Sequence, residues 1–79
     1  MNGARTAILD YLAGAILGYP FDPQIDEPFV DELLLDFHDV DILEQLKLFR
    51  WYYDNRPLAA ARSPRLAVRR WLARARREE

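Results

Sequence analysis

Prolines decide where this chain can be helical. A proline inside a helix removes a hydrogen bond and clashes with the preceding turn, so helices tend to begin or end near it. The chain has five prolines. Pro20, Pro23 and Pro28 lie within nine residues, and the other two are Pro57 and Pro64. The segments between them carry apolar residues at helical spacing and no strand-like alternation. We therefore predict an all-α protein, a compact bundle of four short helices in a single domain over residues 1–79.

The first two predicted helices flank the proline-rich segment. The first runs from about Ala4 to Leu17 and ends at Gly18. Its inward-facing residues are predicted to be Ile8, Leu12, Ala15 and Ile16. We expect the following segment to be an ordered loop, with Asp26 capping the second helix and Pro28 in its first turn. The apolar set of that second helix is Phe29, Val30, Leu33, Leu34 and Phe37.

The third and fourth helices have clearer start signals. The third is predicted from about Val40 to Asp54, with Asp41 or Asp39 as its N-cap. Its buried residues are predicted to be Ile42, Leu46, Phe49 and Tyr53. Further apolar residues widen its apolar arc, so we expect packing on more than one side: Leu43, Leu48, Trp51 and Tyr52. The fourth begins with Ser63 as N-cap and Pro64 as its first residue. Its inward side chains are predicted to be Val68, Trp71, Leu72 and Ala75.

Charge is divided along the chain, although the formal net charge is only −2. Residues 1–44 contain ten acidic residues and one base, Arg5. Residues 45–77 contain ten basic residues and one acid, Asp54. A division of this kind either pairs within the molecule or faces a charged partner.

The residues needed for most catalytic and metal chemistry are missing. There is no cysteine, and His38 is the only histidine, so neither a zinc site nor a hydrolytic triad can be assembled. The three glycines do not form a phosphate-binding loop. We predict a protein that is not an enzyme and has no cofactor, no metal and no small-molecule substrate. The apolar first helix is too short to span a bilayer, which predicts a cytoplasmic protein without membrane contact.

The last helix concentrates arginines in two rows. One row is Arg65, Arg69 and Arg76, and the other is Arg70, Arg74 and Arg77. Because like charges repel, a helix of this kind usually meets anions, and arginine suits bidentate contact with phosphate. The aromatic residues Trp51 and Tyr52 are candidates for base stacking. We predict that these eight residues bind single-stranded DNA, or that the arginines bind carboxylates of a replication protein. The alternative is that the tryptophans belong to the core and the arginines pair with the acidic half.

Two segments carry a resemblance to a known module: "VDILEQLKLFRWYYDNRP" and "SPRLAVRRWLARARR". Together they resemble a small C-terminal helical module of phage and bacterial replication proteins, including primosomal, helicase-loader-like ones, over about residues 29–76. The matching positions are Asp39, Val40, Asp41, Leu46, Phe49, Trp51, Tyr52, Asn55, Pro57, Leu66, Trp71 and Leu72. The resemblance implies binding to single-stranded DNA and contact with a replication protein of the helicase machinery.

A different class of function is also consistent with the residues. The acidic half, through Asp31, Glu32 and Asp36, is suited to gripping a basic partner, as in a phage-encoded regulator of a host protein. The apolar arc of the third helix is suited to a homodimer, because wide apolar exposure on a small domain usually marks an interface.

Overall fold

The computed structural model describes residues 3–54 and 63–78, and these residues form helices but no strand. The helices are α1 (Gly3–Gly14), α2 (Pro23–Asp36), α3 (Ile42–Asp54) and α4 (Pro64–Glu78). The predicted all-α architecture of four short helices is therefore confirmed. The radius of gyration is 11.7 Å, as expected for a compact domain of this length. The predicted break at Pro57 lies outside the described residues.

One apolar core joins all four helices. Its buried members are Ile8, Leu12, Ile16, Tyr19, Val30, Leu33, Phe37, Val40, Ile42, Leu46, Phe49, Val68 and Leu72. Phe49 is fully buried, and its ring contacts the rings of Tyr53 and Trp71 at centroid distances of 4.7 and 5.8 Å. Nearly all of the side chains predicted to face inward are in this core or packed against it. The helical spacing of the sequence thus identifies the interior correctly.

Helix α1 ends earlier than predicted. Its last residue is Gly14 rather than Leu17, although the amide of Ala15 still donates to the carbonyl of Tyr11 at 2.9 Å. The chain then turns through Gly18, whose φ of 83° is in the left-handed region that favours glycine. This turn leaves Leu17 exposed and directs Tyr19 into the core.

The predicted start of α2 is wrong. Asp22, not Asp26, is the N-cap, and its carboxylate accepts a hydrogen bond from the amide of Gln24 at 3.0 Å. Pro23 takes the first helical position, where its missing N–H does no harm. Pro28 then lies inside the helix and leaves the carbonyl of Gln24 without its usual helical donor, at an exposed position where water can replace it.

The predicted caps of the last two helices are confirmed. The Asp41 carboxylate accepts from the amide of Glu44 at 3.2 Å, and the Ser63 hydroxyl accepts from the amide of Leu66 at 3.3 Å. Helix α3 begins at Ile42, two residues later than predicted. Asp39, the alternative cap, instead makes an ion pair with α4.

Helix α3 packs against α1 on one side and α4 on the other. Packing on more than one side was predicted, but of the four residues that prompted the prediction it covers only Leu43, which is partly buried against the core. Leu48, Trp51 and Tyr52 are exposed, and Trp51 is the most exposed of them at 72%. We call this surface of α3, with Lys47, Leu48, Trp51 and Tyr52, the outer face.

Candidate nucleic-acid interface

One row of α4 arginines pairs with the acidic half of the chain. We call Arg65, Arg69 and Arg76 the inner row. Arg65 Nη2 lies 2.8 Å from Asp26 Oδ2, and Arg76 Nε lies 3.4 Å from Asp39 Oδ2. The third pair joins Arg69 to Asp36 of α2. On this side of α4 the opposite charges of the two halves therefore neutralise each other within the molecule.

The strongest of these contacts is buried at the start of α4. The Asp26 side chain is completely inaccessible, and it accepts hydrogen bonds from Arg65 Nε, Arg65 Nη2, the Tyr19 hydroxyl and the Asp22 amide. Arg65 also donates to the carbonyl of Pro20 at 2.7 Å. Burial raises the pKa of Asp26, but the donors, Arg65 first among them, outweigh burial and hold this pKa below its usual value. Asp26 is therefore a charged anchor for α4.

The rest of the inner row holds the C-terminal end of α2. Arg76 Nη1 donates to the carbonyl of Asp36 at 2.8 Å, where the partial negative charge of the helix end favours a cation. The guanidinium carbons of Arg69 and Arg76 lie 5.5 and 6.0 Å from the centre of the Phe37 ring. The inner row thus serves mainly to dock α4 on α2.

The other row is placed differently. We call Arg70, Arg74 and Arg77 the outer row. All three are exposed, and none makes an ion pair with any side chain that the structure describes. Of the six arginines predicted as phosphate contacts, these three are the ones left open to an external anion.

Two outer-row arginines border a groove between α3 and α4. The α3–α4 groove has a volume of about 540 Å³ and is lined by Tyr52, Tyr53, Ser63, Leu66, Ala67, Arg70, Trp71 and Arg74. Trp71 is held in position because its indole N–H donates to Gln45 Oε1 at 3.1 Å. Its ring lies 5.5 Å from that of Tyr52. The groove therefore combines cations that have no partner among the described carboxylates with aromatic rings that are held in position.

The two aromatic residues predicted to stack on bases do not share a groove. Successive residues of an α-helix point about 100° apart, so Tyr52 faces α4 while Trp51 faces away from it. Trp51 lines a shallower α1–α3 groove, of about 460 Å³, with Tyr11, Lys47 and Arg50. The sequence prediction omitted Lys47 and Arg50. Lys47 lies three residues before Arg50 and four before Trp51, and this spacing is the signal that places Lys47 beside both of them on α3.

The acidic residues of the alternative prediction are mostly engaged. Asp31 accepts from Arg5 Nε at 2.7 Å, and Asp36 pairs with Arg69. Glu32 is exposed and makes no ion pair with a described side chain. Two of these three carboxylates therefore already have internal cationic partners at the surface.

The described residues contain no group of three or more side chains able to hold a metal ion. Among the same residues, no helix has the length and apolar character needed to cross a membrane. No protein-family model, curated protein or solved structure matches this chain. The resemblance to a replication module therefore stays a prediction.

Proposed function

We propose that this protein is a non-enzymatic helical module that binds single-stranded nucleic acid in the α3–α4 groove, as part of a replication system. The observation that carries the proposal is the groove itself, where Arg70 and Arg74, which pair with no described carboxylate, face the same space as aromatic rings. Arginine binds phosphate through a planar fork of donors, and base stacking on aromatic rings tolerates any sequence.

The internal pairing of the inner row limits the number of arginines that can contact phosphates, and this number sets the salt dependence of binding. On α4, only the outer row has guanidinium groups without a described carboxylate partner, and two of its members, Arg70 and Arg74, line the groove. Each contact with a single strand contributes about −0.7 to the slope of log K against log salt concentration, which predicts a slope of about −1.4 for this groove and about −2 if the strand also reaches Arg77. The slope therefore reports how many arginines contact the strand.

The test is a salt-dependent titration of a labelled oligothymidine of about 12 nucleotides by fluorescence anisotropy. The double variant Arg70→Ala, Arg74→Ala should bind more weakly and show a slope less negative by about 1.4. Tyr52→Ala should weaken binding with little change in slope, because it removes a stacking ring and no charge. No binding by the wild-type protein at low salt would refute the proposal.

The matched control for net charge is the pair of single variants Arg74→Ala and Arg5→Ala. Each removes one positive charge, but Arg5 pairs with Asp31 on the other side of the molecule. If the proposal holds, only Arg74→Ala reduces the salt slope. Equal effects would show that binding follows overall charge and not the groove.

A second candidate function is self-association through the outer face of α3. The observation that favours it is the exposure of Leu48 and Trp51, at 47% and 72%. Large apolar side chains exposed side by side on a small domain often mark an interface. Sedimentation velocity over a range of concentrations tests it. A monomer at all concentrations would exclude a dimer, whereas a dimer that Leu48→Ser and Trp51→Ser dissociate would support it.

A further inference from the structure

A second basic and aromatic groove lies on the opposite side of α3 from the α3–α4 groove. Its lining residues are Tyr11, Lys47, Arg50 and Trp51. The Trp51 indole is largely exposed and makes no ring contact with a described residue. An exposed, unstacked indole beside two basic side chains has the composition of a site for a base and its phosphates.

The cations of this groove are available to an external anion. Arg50 is exposed and makes no ion pair with a described side chain. Lys47 has one partner, Glu44, at 3.9 Å, and both side chains are more than half exposed. Exposed pairs of this kind contribute little and exchange readily. The α1–α3 groove thus presents Arg50, which pairs with no described carboxylate, and Lys47, whose exposed pair with Glu44 leaves it open to an external anion.

The outer face of α3 connects the two grooves. Around the helix, Tyr52 lies on the side of α4, Arg50 lies on the side of α1, and Trp51 and Leu48 lie between them. An α-helix with its side chains is about 10–12 Å across, so the path over its outer half is about 16–19 Å long. A stacked strand advances about 3.4 Å per nucleotide and needs about five nucleotides to cover this path. A short single strand can therefore contact both grooves at once.

We propose that a single strand held in the α3–α4 groove continues over the outer face of α3 into the α1–α3 groove. There Arg50 and Lys47 contact its phosphates, and Trp51 stacks on a base. This inference rests on the proposed function, because it extends the same bound strand. It also places the bound strand over the exposed side chains of Leu48 and Trp51.

The charges around the outer face favour a polyanion over a second copy of the chain. A symmetric dimer brings the same patch of both copies together. Here that patch is bordered by Arg50 and Lys47 on one side and by Arg70 and Arg74 on the other. Closing two such patches would oppose like charges, which disfavours association, whereas a phosphate backbone is complementary to both borders.

The test compares oligothymidines of about 4 and about 12 nucleotides, within the range that small single-strand-binding domains cover. For the longer strand, Lys47→Ala, Arg50→Ala should make the salt slope less negative by about 1.4 and lower affinity on the order of tenfold. For the shorter strand the loss should be much smaller, because it cannot occupy both grooves. Trp51→Ala should weaken the longer strand roughly fivefold or more, and Trp51→Phe should retain part of the affinity.

The controls separate this inference from the proposed function. Arg50→Ala and Arg5→Ala carry the same net charge, and only the first should change the slope. If Lys47→Ala, Arg50→Ala binds both strands like the wild type while Arg70→Ala, Arg74→Ala does not, the second groove is refuted and the proposed function stands. If the wild type binds neither strand, both fall. A concentration-dependent dimer that Trp51→Ala abolishes would assign the outer face to a second copy and overturn the inference.

Discussion

The two flanks of α4 have the same residue type on the same helix and serve different purposes. The inner row faces α2 and meets Asp26, Asp36 and Asp39. The outer row faces solvent and, through Arg70 and Arg74, the α3–α4 groove. The difference arises because the helical period separates the two rows and α2 lies along only one of them. A basic segment thus cannot be treated as a whole, since neighbouring arginines of one turn either pair within the molecule or face solvent.

The largest expected effect comes from the buried end of the inner row. Arg65→Ala leaves the Asp26 carboxylate buried without its cation, and breaking such a pair costs about 3–5 kcal/mol of unfolding free energy. Urea denaturation measures it. Arg74→Ala, in the outer row, should change stability by about 0.5 kcal/mol or less. Similar losses of unfolding free energy in the two variants would show that the two rows do not differ in their contribution to stability.

The next effect is an acid sensitivity at the Asp26–Arg65 pair. Because hydrogen bonds hold the pKa of Asp26 below its unfolded value near 3.9, the stability from this group is complete above that value. It is lost as the pH falls through the lower folded pKa. The loss should be smaller than that of Arg65→Ala, because protonation removes the buried charge. Stability against pH, measured for wild type and Asp26→Asn, should differ in slope below about pH 4, and parallel curves would contradict the assignment.

A smaller effect is expected when an inner-row arginine loses its internal carboxylate partner. Asp36→Asn removes an exposed ion pair worth about 0.2–1 kcal/mol and releases Arg69. The released arginine adds a phosphate contact, so the salt slope of oligonucleotide binding should become more negative by up to about 0.7. Asp31→Asn is the matched control, because it removes the same charge beside Arg5. A rise in affinity with both variants alike would indicate an effect of net charge only.

The smallest effect on the fold is expected at the free end of the outer row. Arg77→Ala should leave the unfolding free energy within about 0.5 kcal/mol of the wild-type value, because this side chain pairs with no described carboxylate. Its salt slope should be less negative by about 0.7 if the bound strand reaches the last turn of α4. An unchanged slope would limit the contact to Arg70 and Arg74.

Local signals in the sequence were sufficient for α3 and α4 but not for α2. Ser63 with Pro64, and Asp41 ahead of Glu44, are caps that involve neighbours only, and both were predicted. At α2 the predicted cap was Asp26, whereas the cap that forms is Asp22, directly before Pro23. Asp26 instead accepts hydrogen bonds in the interior from Arg65, 39 residues away. A contact at that separation leaves no trace in the local pattern.

The candidate site, too, could be predicted only where local signals decide its arrangement. The two arginine rows follow from the helical period and were predicted. Which row is neutralised depends on the side on which α2 packs, and the period does not contain that information. The same applies to Trp51 and Tyr52, which are adjacent in sequence yet belong to different grooves because α1 and α4 flank α3.

The contacts of Arg65 and Arg76 also determine the orientation of α4 about its own axis. They attach α4 near both of its ends, so the helix can neither slide nor roll about its axis without breaking one of them. A roll of one residue would swing Arg70 and Arg74 by about 100°, away from the aromatic rings. The ion pairs of the inner row therefore determine the direction in which the outer-row arginines point.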